Sequence, residues 1–141
     1  MKDDKTPIIL IAEDDEDDRM FTKEAFDESL IDHEIRFVND GVELLDYLKR
    51  RNKYTNSATS PRPSIILLDL NMPKVDGREA LREIKSDLKL RTIPVVVLTT
   101  SKSEQDILKT YDLGVNCFIT KPVSFTAFLE EIGRASCRER V

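Results

Sequence analysis

Three short apolar runs carry no polar residue at alternate positions: Ile8-Ile9-Leu10-Ile11-Ala12, Ile65-Ile66-Leu67-Leu68 and Val95-Val96-Val97-Leu98. A strand with one face in water alternates apolar and polar residues, whereas a strand without that alternation needs cover on both faces. Helical patterns separate the runs. A helix over about 17–30 pairs Phe21 with Ala25 and Phe26 with Leu30, and a second strand follows at about 34–38. Asp40-Gly41 opens a helix with Val42, Leu45 and Leu48 inward, and a helix at about 77–88 aligns Ala80, Leu81, Ile84 and Leu88. Pro94 leads into the strand at 95–98. A helix at about 103–113 carries Ile107, Leu108 and Tyr111 and stops at Gly114, a C′ glycine. A short strand at 117–119 precedes a helix at about 124–132, where Phe125, Phe128, Leu129 and Ile132 recur at helical spacing. Residues 51–63, with Asn, Ser, Thr and two prolines, read as a surface loop, long for this kind of connection. Five strands alternating with five helices predict an α/β fold: a doubly wound parallel sheet with helices on both faces.

Size and charge narrow the function. At 141 residues the chain is one domain that buries a sufficient core without disulfide or metal staples. The net charge of −5 argues against a nucleic-acid or anionic-membrane binder. No apolar run approaches the ~18 residues of a membrane span, and the polar start at 1–5 is no signal peptide. Cys117 and Cys137 make neither a disulfide framework nor a zinc site, so a reducing cytoplasm is the expected compartment. His33 is the single histidine, and it, Tyr47 and Tyr54 read as structural or surface residues, with Cys117 a small buried one. The apolar pattern ends at Ile132. Residues 1–132 are expected to form the domain, and 133–141 a non-native or disordered tail.

The chemistry gathers at the carboxyl ends of the strands, where open α/β sheets bind ligands. The first strand runs into Glu13-Asp14-Asp15-Glu16-Asp17-Asp18, the third ends in Asp69, the fourth in Thr99-Thr100-Ser101, and Thr120-Lys121-Pro122 follows the fifth. Each feature has an ordinary reading by itself. The acidic run suits a solvated helix start, as assigned here to 15–18. Asp69 could close a turn, and Ser101 or Ser103 could cap a helix. Their joint placement, each after a different buried strand, favours a site. If the first and third strands are neighbours, Glu13, Asp14 and Asp69 converge, and three carboxylates in one pocket take up a proton or a cation. Mg²⁺ suits such oxygen ligands, while a lysine and a hydroxyl at the same rim suit an added phosphoryl group. The constellation reads as phosphoryl transfer to a carboxylate, with Asp69 the nucleophile.

Several segments resemble a response-regulator receiver domain of two-component signalling. They are Ile9-Leu10-Ile11-Ala12-Glu13-Asp14-Asp15, Leu67-Leu68-Asp69-Leu70-Asn71-Met72-Pro73, Val75-Asp76-Gly77, Leu98-Thr99-Thr100-Ser101 and Ile119-Thr120-Lys121-Pro122. The resemblance implies a flavodoxin-like sheet of order 2-1-3-4-5, for which the chemotaxis receiver is a standard example. It implies that Glu13, Asp14, Asp69 and the backbone carbonyl of Asn71 hold Mg²⁺, and that Asp69 accepts the phosphoryl group. Thr99 and Lys121 are then expected to contact the phosphoryl oxygens, and Thr99 and Phe118 to act as the switch pair. Two departures are Glu13 where the family's first acid is Asp, and Phe118 where Tyr is usual at the aromatic position. The long loop with Leu-Thr-Thr-Ser and Asn116-Cys117-Phe118 is similar to stand-alone receivers paired with bacterial and cyanobacterial phytochrome kinases. The expected partners are a sensor histidine kinase and a downstream protein or phosphotransfer protein, with a weak homodimer through the 103–132 face. Nucleic acid and membrane are not expected. Self-phosphorylation from phosphohistidine and slow dephosphorylation would be its only chemistry. The rival reading, a haloacid dehalogenase-type phosphatase, also uses an aspartyl-phosphate, but Asp69-Leu70-Asn71 lacks that class's second acid.

Overall fold

The computed structural model describes residues 7–27, 34–56, 59–69, 77–99 and 117–120. Five strands form one parallel sheet: β1 (Ile8–Ala12), β2 (Glu34–Val38), β3 (Ile65–Asp69), β4 (Val95–Thr99) and β5 (Cys117–Thr120). Their order is β2-β1-β3-β4-β5, as the resemblance implied. Leu10 lies beside Arg36 and Ile66, and Ile66 beside Val95, so the three apolar runs are adjacent in the middle of the sheet.

Alternate side chains leave opposite faces of a strand. Leu10, Ala12, Ile66, Leu68, Val95 and Val97 share one buried cluster with Leu44, Leu45 and Leu48 of α2 (Gly41–Leu48) and Ala80, Leu81 and Ile84 of α3 (Gly77–Ser86). Ile9, Ile11, Ile65, Leu67, Val96 and Leu98 leave the other face and are buried as well. Phe37 shares that second face through its register with Ile11, and Arg19 of α1 (Glu16–Asp27) lies over the Phe37 ring, 5.0 Å from its centroid. Helices therefore cover both faces, and the absence of polar alternation in the runs has its cause. Each fully buried Leu or Ile contributes roughly 1.5–3 kcal/mol.

Local signals set the helix ends. Asp15 Oδ1 accepts the Asp18 N–H at 3.0 Å, which caps α1 and places acidic side chains at its positive end. Asp40, in extended backbone, caps α2 by accepting the Glu43 N–H at 2.8 Å. After α2 the Arg50 N–H bonds the Tyr47 carbonyl at 3.3 Å and the Arg51 N–H the Asp46 carbonyl at 2.8 Å. That is a Schellman closure, with Arg50 at φ 53 where glycine is usual.

Two expected core positions are corrected. Val42 is exposed, because the buried arc of α2 centres on Leu44, Leu45 and Leu48 and Val42 falls beyond its edge. Leu88 is exposed because α3 ends at Ser86, and Leu90 and Ile93, from the turn after it, fill the core instead. The loop reading of 51–63 is refined. The segment holds a 3₁₀ turn at Asn52–Tyr54 and buries Ser60 and Pro63. Tyr47 is buried and donates its hydroxyl to the Pro61 carbonyl at 2.8 Å. Arg36 donates to the Thr59 carbonyl at 2.6 Å, and Arg62 to the Lys89 carbonyl at 2.6 Å and Thr92 Oγ1 at 2.9 Å. The connection is fastened down at both ends. The helices expected at 103–113 and 124–132, His33, and the tail at 133–141 lie outside the described residues.

Candidate functional site

The sheet register brings the acids together. Ala12 lies beside Leu68, so the next residues of each chain, Glu13 and Asp69, emerge side by side at the carboxyl ends of β1 and β3. One carboxylate oxygen from each of Glu13, Asp14 and Asp69 lies within 4.8 Å of the others. Glu13 and Asp69 are buried, while Asp14 is exposed and opens the group to solvent. Isolated buried carboxylates are unfavourable, and three together repel. The donors are all hard oxygens at mutual distances that one small cation can span, so the residues present fit a divalent ion of the Mg²⁺ or Mn²⁺ type.

The backbone of Glu13 is fixed on both sides. Its N–H donates to the Val38 carbonyl at 3.0 Å, which extends the β1–β2 ladder by one residue. Its carbonyl accepts the Arg19 Nε–H at 2.6 Å. The Asp15 N–H donates to Glu13 Oε2 at 3.3 Å. Arg19 also donates from Nη2 to Asn39 Oδ1 at 2.5 Å, and Asn39 leads on to Glu43.

Glu43 is surrounded by donors. Its Oε1 accepts the Asn39 N–H at 2.6 Å and Asn39 Nδ2 at 3.1 Å. Its Oε2 accepts the Tyr54 hydroxyl at 2.6 Å and pairs with Lys53 Nζ at 2.9 Å. Burial pushes Glu43 up, but the hydrogen bonds from Tyr54, Asn39 and Lys53 outweigh it and bring the carboxyl down to about 2. Burial and the bond to the anionic Glu43 push Tyr54 up to about 12.

Of the expected site residues, Glu13, Asp14 and Asp69 are brought together. The backbone puts Thr99 at the last position of β4, in register with Thr120 of β5, directly before Lys121 in the chain. Phe118 lies on β5 beside Val97. Asn71 and Lys121 lie outside the described residues. Sequence reasoning missed Arg19, Asn39 and Glu43. The Asp40-x-x-Glu43 spacing, that of a capping box, was the available signal for the last.

Comparison with known proteins agrees with this arrangement. The family model of the response regulator receiver domain matches residues 9–133. Response regulator Rcp1 of Synechocystis sp. is 47% identical over 123 residues, which cover 86% of this chain and 82% of that protein. The crystal structure of the phosphorylated cyanobacterial phytochrome response regulator RcpA is 46% identical with a TM-score of 0.81, covering 91% of this chain and 90% of that one. The Mn²⁺-bound form of Rcp1 is 44% identical with a TM-score of 0.79, covering 90% of each chain. The reading as a dehalogenase-type phosphatase is set aside. With its sheet order, its acidic cluster and a family match over most of its length, the chain belongs to the response regulator receiver domains of two-component signalling.

Proposed function

We propose that the chain works as a single-domain receiver that takes a phosphoryl group on Asp69 from a sensor histidine kinase. The observation that carries this is the convergence of Glu13, Asp14 and Asp69 within 4.8 Å at the ends of β1 and β3. In the transfer an Asp69 carboxylate oxygen attacks phosphorus, the phosphorus–nitrogen bond of the kinase phosphohistidine breaks, and the imidazole leaves with the electron pair. Glu13, Asp14, Asp69 and the Asn71 carbonyl would hold Mg²⁺, which when bound would supply positive charge to offset that on the phosphoryl oxygens. Thr99 and Lys121 contact those oxygens as hydroxyl donor and point charge.

The phosphoryl group adds about −1.5 to −2 charges at Asp69. Thr99 then shifts toward it and Phe118 turns inward, which alters the face expected from residues 103–132. Relatives support this reading: one similar structure is of a phosphorylated response regulator and another is Mn²⁺-bound. Because RcpA is a cyanobacterial phytochrome response regulator, the partner proposed here is a phytochrome-type kinase. Downstream, the same face docks a target or phosphotransfer protein, or a second copy of the chain as a weak homodimer. The protein has no turnover chemistry beyond its own phosphorylation and slow dephosphorylation. Among the described residues no helix is long and apolar enough to cross a membrane.

The test is incubation with acetyl phosphate and Mg²⁺, read by intact mass. The parent gains one phosphoryl group and Asp69→Asn gains none. Equal uptake by both would overturn the assignment of Asp69.

A further inference from the structure

We infer that Arg19, Asn39, Glu43 and Tyr54 form a positioning relay through which the 51–63 connection sets the divalent-cation affinity of the site at Glu13. The inference rests on the metal reading above and adds residues to it.

The contacts run without a break. Tyr54 stands in the 3₁₀ turn of the connection, its ring 5.0 Å from that of Tyr47, and donates to Glu43 Oε2 at 2.6 Å. Glu43 Oε1 accepts both N–H groups offered by Asn39. Asn39 Oδ1 accepts from Arg19 Nη2, and Arg19 Nε donates to the Glu13 carbonyl at 2.6 Å.

Each link leaves the next one little choice. An amide has one donor end and one acceptor end. With its Nδ2 on the Glu43 carboxylate, Asn39 must turn Oδ1 toward Arg19; reversed, it would set oxygen against carboxylate and NH₂ against guanidinium. The rigid guanidinium fork then fixes the direction of Nε once Nη2 is engaged. The Phe37 ring under the guanidinium restrains its plane.

Capping α2 does not account for this arrangement. In a capping box the carboxylate three residues in returns to the N–H of the cap residue itself. Here the Glu43 carboxylate goes one residue further back, to the Asn39 N–H, while Asp40 caps the helix. The outcome is a cation bonded to the backbone of Glu13, whose carboxylate must stay close to those of Asp14 and Asp69. Arg19 fixes the backbone stem of one of the three. Groups that orient metal ligands in this way govern affinity without touching the ion.

Mn²⁺ alone is the probe, titrated into the full chain and followed by loss of the free-ion electron paramagnetic resonance signal. Arg19→Lys keeps the charge but loses the fork, and weakens binding by about tenfold. Tyr54→Phe, at the far end of the relay, weakens it by about threefold while keeping the ring packing. The double variant binds no more weakly than Arg19→Lys alone, because the relay is already cut. If Arg19→Lys does not fold, Glu43→Gln takes its place, with a loss of about fivefold. Tyr54→Phe with lowered melting temperature but parental Mn²⁺ affinity would mean a purely structural network and overturn the relay. Additive losses in the double variant would also overturn it. A parent chain that fails to bind Mn²⁺ would instead overturn the metal reading, and the relay with it.

Discussion

Glu43 and the Glu13–Asp14–Asp69 group lie a short chain of hydrogen bonds apart, and their surroundings are opposite. Around Glu43 the protein places a hydroxyl, a backbone N–H, a carboxamide and an ammonium group, so the anion is matched by donors from its own chain. At the ends of β1 and β3 it places carboxylate against carboxylate, two of them buried. The first arrangement stabilises the native state by itself. The second brings like charges together, an arrangement that a bound divalent cation would stabilise. A carboxylate ringed by donors is satisfied within its own chain, whereas carboxylates facing one another mark a binding site.

The largest expected effect breaks the comparison at the acidic group. With Mg²⁺ at a hundred times its dissociation constant, the parent gains ~2.7 kcal/mol of stability. Asp14→Asn loses most of that gain. In chelator the same substitution stabilises the protein by about 0.2–0.5 kcal/mol, because one repelling charge is gone. Thermal melts of parent and variant with Mg²⁺ and with chelator read this reversal of sign. A variant less stable than the parent in both conditions would show that the Asp14 charge is not repelled there.

Next comes Glu43. Replacement by Gln removes the charge from several hydrogen bonds and destabilises the protein by about 1–2 kcal/mol near neutral pH. The acid side sharpens the contrast. The folded carboxyl sits at about 2 against an ordinary 4.5, so its contribution is fully present above 4.5 and is lost as pH falls toward 2. Urea midpoints across that window should decline more steeply for the parent than for Glu43→Gln. Parallel declines would contradict the depressed value.

Tyr54→Phe is expected to cost about 1 kcal/mol in urea unfolding. The hydroxyl is pushed up to about 12 from an ordinary 10.0, so the neutral form is favoured in the folded state. That contribution is present below 10 and is lost as pH rises toward 12, an alkaline loss that Tyr54→Phe lacks. Tyrosinate absorbance of folded parent and variant tests the assignment. The smallest effect is a control away from both carboxylate groups. Arg50→Gly relieves a left-handed residue in the Schellman closure and adds about 0.5 kcal/mol of stability, read as a higher urea midpoint, with no change in metal response.

Much of this fold was legible because burial on both faces leaves its mark on every residue of a strand. The runs at Ile8, Ile65 and Val95 became β1, β3 and β4, and the weaker signal at 34–38 became β2. Helix faces were harder to read, since an apolar residue at the edge of an arc resembles one at its centre. Val42 missed the core for that reason, and Leu88 because a helix end is poorly marked without glycine or proline. The convergence of Glu13, Asp14 and Asp69 could be anticipated because strand adjacency alone brings them together. Arg19 comes from α1 and meets Asn39 and Glu43, at the start of α2, only through side-chain length and direction; the capping-box spacing points to Glu43, but neither periodicity nor motif spacing encodes the link from Asn39 to Arg19.

The position of β1 in the sheet also bears on how the chain is made. β1, made before the other four strands, is not an edge but lies between β2 and β3. Its second neighbour, β3, starts at Ile65. At a synthesis rate of about 5–20 residues per second, that partner follows Ile8–Ala12 by several seconds. Throughout that interval an Ile-Ile-Leu-Ile-Ala strand has one edge without its native neighbour, the condition under which apolar strands pair with other chains. A nascent chain of this topology therefore depends on whatever shields that run until residue 69 has emerged, and yield during expression should respond to translation speed between β2 and β3 more than to changes after β4.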